Sequence, residues 1–240
     1  MCGRYVTPHE AAIERHWNLT KSIPVFPRSW NVAPGATVPL LRLHRETGEL
    51  EVVMARWGLI PHWWKEGKPP GRTFNARSED AAAKPLWRDA MRRGRCIVPA
   101  EGWYEWYHKS GPPGAVSPGA RKQPSFIHRA DGAPVGFAGL VAAWKHPQTG
   151  EWVTSCAILT LPAAGPLAEV HERMPAALPR DVHDTWLEPG LKDGAAAADL
   201  LRATASVEGL EAYPVGAAVN SALVDHADLI QPLAESKDEG

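Results

Sequence analysis

From Arg95 to Leu161 the chain runs through one β-type segment after another, and this succession constrains the fold more than any other feature. Cys96-Ile97-Val98, Trp103 to Tyr107, Ser125 to His128, Pro134 to Trp144 and Trp152 to Leu161 are rich in residues that suit a pleated, half-buried surface. Upstream, residues 38–43 and 50–57 are apolar and joined by Arg45-Glu46-Thr47-Gly48-Glu49, which predicts a hairpin. Helical stretches stand apart from these strands. Thr7 as N-cap with Pro8 in the first turn predicts a short helix to about Trp17. Ser78 or Glu79 opens a second, interrupted at Pro85 and ending near Gly94, and residues 180–187 and 191–203 supply two more. The Gly- and Pro-rich stretch from Ser110 to Pro124 predicts a surface loop between two hairpin strands. Strands with segregated helices predict an α+β fold: a single domain over residues 1–233, with a curved, mainly antiparallel β-sheet or barrel-like core and peripheral helices. Residues 234–240 are expected to form a disordered tail.

A chain of 240 residues can bury one substantial core. It has no positively charged leader with an apolar core, and no apolar run near the ~20 residues needed to span a bilayer. A cytoplasmic location is therefore expected. Cys2, Cys96 and Cys156 form an odd set without CxxC or Cys/His ligand spacing, so a disulfide framework and a structural zinc site are both disfavoured. The net charge of −1 gives no general attraction for nucleic acid, so any polyanion contact must come from local arrangement. Arg88, Arg92, Arg93 and Arg95 have helical spacing and read as a solvated face. Eleven tryptophans is far above typical usage. Most should be core, and a few in loops could stack on bases.

Cys2 lies directly behind Met1, and loss of Met1 would leave it as the first residue. It would then carry a free amine and a thiol on adjacent carbons. Their ordinary pKa values, near ~8 and ~8.5, give each a reactive fraction at neutral pH. The position suggests an N-terminal nucleophile, either a hydrolase or a carbonyl trap; the plain alternative is a buried cysteine behind a start codon. Polar groups cluster beside Gly, Pro and Trp in Asn31 to Gly35, Arg56 to Pro61, Phe74 to Glu79, Glu101 to Trp106 and His171 to Pro175. Glu105, set among aromatics, is costly to bury unpaired and should have a raised pKa, which makes it a candidate general acid/base. A structural pair with an arginine is its alternative.

Taken together these segments resemble the SRAP family (SOS-response-associated peptidase), which acts at abasic sites in single-stranded DNA. The matching residues are Cys2-Gly3-Arg4-Tyr5, Asn31 to Gly35, Arg56 to Pro61, Phe74 to Glu79, Arg95 to Trp106 and His171 to Pro175. Tyr213-Pro214-Val215, Val219-Asn220 and Leu229 to Pro232 extend the likeness to the C-terminal region. The resemblance implies a self-linking chemistry, in which the amine of Cys2 forms a Schiff base with the opened sugar and its thiol closes a thiazolidine. It also implies a peptidase activity directed at the residue or leader before Cys2. Here that is Met1 alone, so ordinary methionine removal could suffice.

The remaining roles come from the same resemblance. Glu105 and His171 match the proton-transferring acid and histidine, and Asn75 would hold the Cys2 amine. Arg4 and Arg77 match positions that engage phosphates flanking the lesion. Trp63 and Trp64, with Pro34, would stack on neighbouring bases, and Thr160 matches a position near the site. The expected partner is single-stranded DNA containing abasic sites, met by a monomer associated with the nucleoid when DNA is damaged. No metal or organic cofactor is expected. Departures from the family pattern fall at Ala164, Ala227, Trp64 and the 110–124 loop, none of them at Cys2, Asn75, Glu105 or His171. Two other functions fit parts of the chain. An N-terminal-nucleophile amidohydrolase explains Cys2 but not the Arg/Trp/Pro motifs, and a passive reader of single-stranded DNA makes Cys2 incidental.

Overall fold

The computed structural model describes residues 2–108 and 122–233. In chain order it runs β1 (Tyr5–Val6), α1 (Glu10–Trp17), β2 (Thr37–Leu43), β3 (Leu50–Trp57), β4 (Asn75–Arg77), α2 (Ser78–Ala81) and α3 (Arg88–Arg93). Then come β5 (Arg95–Ala100), β6 (Gly102–His108), β7 (Lys122–Arg129), β8 (Val135–Lys145) and β9 (Trp152–Pro162). The last part holds α4 (Leu167–Val170), β10 (Arg173–Pro175), β11 (Ala177–Leu178), α5 (His183–Leu187), α6 (Gly194–Thr204) and β12 (Leu210–Pro214).

The long strands close on themselves. β9 pairs with β3, β3 with β2, β2 with β5, β5 with β8, and β8 returns to β9, which makes a barrel without a free edge. Most pairings are antiparallel, as the sequence predicts; those of β3 and β4 with β9 are parallel. A second, antiparallel sheet runs β1-β6-β7-β12. Because side chains alternate along each strand, the barrel has two apolar faces. Cys96, Val98, Cys156, Ile158, Leu40, Trp57 and Phe137 share one cluster, which the N-terminal Cys2 and Tyr5 join. Ile97, Leu140, Ala157 and Leu159 face the other way and meet Trp17, Met91, Trp186 and Leu201 of the helices. No helix among the described residues is long and apolar enough to cross a membrane.

The hairpin, the interrupted helix and the β succession stand where the residues place them. Three details differ. Thr7 does not cap α1, because its hydroxyl accepts the Ser29 N–H at 2.8 Å and donates to Ser29 O at 3.1 Å, tying two loops together. Arg95 leaves the solvated arginine face. It is buried and donates to the carbonyl oxygens of Trp186 at 2.7 Å, Met91 at 2.9 Å and Glu188 at 2.6 Å. Lys122 to Pro124, placed in the loop by composition, belong to β7, while residues 110–121 and the tail from 234 lie outside the described residues.

Candidate active site

Cys2 is fully buried against the barrel cluster that includes Tyr5, Trp57, Trp103 and Cys156. Burial pushes its thiol well above the ordinary range, and the charge of Glu105 nearby adds to the rise. The cysteine is held by its backbone. Asn75 Nδ2 donates to the Cys2 carbonyl oxygen at 2.6 Å. Asn75 in turn is set by β4, whose short parallel ladder puts Asn75 opposite Ile158 and Arg77 opposite Thr160 on β9. The amide nitrogen of Asn75 is thus engaged by the carbonyl, which leaves its oxygen as the atom on offer to an amine. Its Oδ1 is buried with no hydrogen-bond partner among the described residues. A buried acceptor in that state carries a desolvation cost until a donor arrives.

Glu105 lies on β6 opposite Ser125, only 3% exposed. The preceding residue, Tyr104, donates its N–H to Arg4 O at 3.0 Å, which fixes β6 beside the N-terminal segment. Burial raises the Glu105 carboxyl to about 7, with the positive charge of the chain's amino terminus pulling the other way. A carboxyl poised near neutrality can both give and take a proton. His171 follows α4. Its Nδ1 lies 2.9 Å from the Arg173 nitrogen and 3.1 Å from the Arg173 carbonyl oxygen, so either neutral tautomer finds a backbone partner there. Burial lowers its pKa, so the neutral ring is the resting form at neutral pH.

Arg173 and Glu79 fasten this cluster from beneath, a role the sequence did not assign to either although both sit inside matched motifs. The guanidinium grips the Glu79 carboxylate through two nitrogens, at 2.5 and 2.9 Å, and donates to Thr160 O at 2.7 Å. α2 and β10, and with them Asn75 and His171, are thereby held in one frame. The Arg173 bond is the first cause that holds Glu79 down at about 2. A depressed carboxylate stabilises the fold above its ordinary pKa and loses that contribution as pH falls through the folded value. Glu79→Gln should therefore unfold at lower urea than the parent at neutral pH, with the gap closing between about 4.5 and about 2. At 39% exposure of Glu79, solvent screening keeps the effect modest.

The residues expected to meet DNA separate into three kinds. Arg77 and Pro34 are exposed, and Arg77 has no partner among the described residues. Arg4 is engaged: it donates to Asn31 Oδ1 and Val219 O, both at 2.8 Å, and to Asn220 O at 3.3 Å. Thr160 is fully buried, its hydroxyl within 3.2 Å of Arg173 and 3.5 Å of Ala76 O, so it orders the frame and cannot reach a phosphate. Trp63 is 43% exposed. Trp64 is half-buried, with its indole N–H on Lys68 O at 2.9 Å and its carbonyl accepting from Trp144 at 2.7 Å. Trp63 borders a recess with Leu86, Asp89 and Ala142, and Ala142 pairs with Ser155, three residues before the β9 position that faces Asn75.

Comparison with known proteins places these features in a common frame. A family model described as SOS response associated peptidase (SRAP) matches residues 1–222. The abasic site processing protein YedK of Escherichia coli is 31% identical over 239 residues, covering 97% of this chain and 100% of the relative. The abasic site processing protein YoqW of Bacillus subtilis is 31% identical over 234 residues, covering 96% of this chain and 99% of the relative. Among solved structures, a protein from Bacteroides thetaiotaomicron shares the fold with a TM-score of 0.79 at 24% identity, over 97% of this chain and 100% of its own.

Proposed function

This chain belongs to the SRAP family, and on that footing we propose that it processes abasic sites in single-stranded DNA by linking itself to them through Cys2. The observation that carries the reading is a buried cysteine gripped at its carbonyl by Asn75 at 2.6 Å, within the electrostatic reach of a carboxyl poised at about 7. Such a site suits a reaction that must add and remove protons around a fixed N-terminal residue.

Once Met1 is removed, the Cys2 amine attacks C1′ of the ring-opened sugar and a carbon–nitrogen bond replaces the carbonyl π bond. Protonated Glu105 gives its proton to the departing hydroxyl, which leaves as water and yields the Schiff base. The Cys2 thiol then adds to the same carbon. Its proton passes to the nitrogen, and the five-membered thiazolidine closes with one water lost overall. Asn75 Oδ1 is an acceptor for the freed amine, and neutral His171 suits relay of the sugar hydroxyl proton during ring opening. The thiol's raised pKa keeps it protonated until the imine forms, which favours amine-first order.

Arg77 serves the phosphate beside the lesion. Arg77→Ala should weaken binding to single-stranded DNA and lower the slope of log K against log salt by about 0.7, the value for one contact. A titration across salt concentrations checks it. The protein acts as a monomer in the cytoplasm, on damaged DNA. Denaturing electrophoresis of Met1-processed protein with an abasic oligonucleotide and with its intact counterpart tests the central reaction. A band that survives denaturation only with the lesion supports it. Absence of that band, or release of ammonia from glutamine, would turn the reading towards a passive reader or an amidohydrolase.

A further inference from the structure

One cleft of the molecule is lined by none of the residues placed around Cys2. It has a cavity volume of about 490 Å³ and lies where α3, the 43–48 turn and the ends of β8 and β9 meet. A second cleft of about 370 Å³ adjoins it, and Arg45, Arg92 and Arg93 line both. All three side chains are exposed, and none has a hydrogen-bond or ion-pair partner among the described residues. Lys192 adds a fourth cation to the second cleft. The acid facing the first cleft is Asp89, and it is already beside Arg88 at 3.7 Å. Three unpaired guanidinium groups around one opening repel each other, and in a chain of net charge −1 such a concentration is a local device. The helical spacing that reads as a solvated face in the sequence explains Arg92 and Arg93 but not Arg45, which arrives from the β2–β3 turn.

Aromatic surface flanks the cations. Trp152, at the start of β9, lines the first cleft and is 70% exposed. Trp63, on the other flank, borders the recess that shares His62, Asp89, Ala90 and Ala142 with it. Guanidinium groups that grip phosphates, interleaved with rings on which bases can stack, are what a single nucleic-acid strand requires. A small polyphosphate would use the cations and leave the rings idle. Along β9, Trp152 stands six residues, roughly 20 Å, from Ile158 (opposite Asn75), while the near wall of the cleft at Val141 and Ala142 pairs with Cys156 and Ser155, two and three residues from it.

We infer that Arg45, Arg92, Arg93 and Trp152 form a second strand-binding surface, which holds a stretch of single-stranded DNA remote from the reacting lesion. The inference rests on the abasic-site reading, but its test is independent of Cys2 chemistry because it uses undamaged DNA. Binding of a long intact single strand is followed by fluorescence anisotropy across salt concentrations. For the R45A/R92A/R93A protein the slope of log K against log salt should fall by about 2, the value for three contacts, with at least about tenfold weaker binding at low salt. The same protein should crosslink at the parent rate to a short abasic oligonucleotide that spans only the Cys2 site. A charge-reversed R92E/R93E protein, with its fold checked by circular dichroism, should bind the long strand more weakly still. Two results would overturn the inference. One is an unchanged salt slope in both variants. The other is calorimetric binding of inorganic tripolyphosphate that the triple substitution abolishes while the DNA slope stays as in the parent, which would make the cleft a small-anion site. Failure of the parent protein itself to crosslink, with the slope still reduced in the variant, would refute the Cys2 reaction and leave this surface standing, whereas loss of the crosslink in the variant alone would overturn its separation from the Cys2 site.

Discussion

Replacing Cys2 with alanine should abolish the denaturation-resistant DNA band altogether, while binding of undamaged single strands should stay near the parent value. No other side chain can substitute, because ring closure needs an amine and a thiol on adjacent carbons. Cys2→Ser separates the two steps: its amine still forms an imine that borohydride can trap, but no stable band survives without the reductant. Because Cys2 is wholly enclosed in the barrel cluster, the alanine variant should also lose about 1 kcal/mol of stability. Urea unfolding distinguishes that small loss from collapse of the site. A Cys2→Ala protein that retains the band would overturn the proposed chemistry.

Glu105→Gln has the second largest expected effect, and it is two-sided. The glutamine cannot donate the proton that expels hydroxide, so crosslinking should slow by about 100-fold, within the usual range for a positioned acid. The parent rate should fall as pH rises through about 7, where the carboxyl loses its proton, and the variant should lack that inflection. Stability moves the opposite way. A carboxyl whose folded pKa exceeds its ordinary 4.5 binds more protons in the native state between those values, so native stability declines across that window. The neutral glutamine avoids this loss, and above pH ~7 the variant should be the more stable protein by up to about 3 kcal/mol. A variant that reacts at the parent rate would remove Glu105 from the mechanism.

The contrast shows which parts of the molecule the sequence makes legible. The long strands carry their own signal, since each of β5 to β9 is a run of apolar and aromatic residues. β1, β4 and β10 are two or three residues long and show no periodicity, yet β4 is what brings Asn75 to Cys2. Their existence depends on a neighbour's edge, which no local window contains. The same holds for side-chain roles. Glu105 stands out because a carboxylate among aromatics is anomalous wherever the chain goes. Thr160, Arg95 and Arg4 are unremarkable in the sequence and acquire their tasks from partners remote along the chain, such as Arg173, Trp186 and Val219. Asn75 shows the intermediate case: the residue is identified in the sequence, and its bond to the Cys2 carbonyl is seen only in the fold.

The clamp at Arg4 and Asn31 has a consequence for the order of events during synthesis. Arg4 donates to Val219 O, and Asn31 Nδ2 donates to the carbonyl oxygens of Ser221 at 2.9 Å and Val224 at 2.8 Å. Asn75, which grips Cys2, is itself seated on β9. The segment around Arg4 and Asn31 thus depends on residues 219–224 for its final environment. Under the proposed chemistry, the Met1–Cys2 bond should therefore stay open to a processing enzyme until residues 219–224 have been made, and the reaction centre should assemble only after that. Enclosure and arming of Cys2 would then be timed by translation itself.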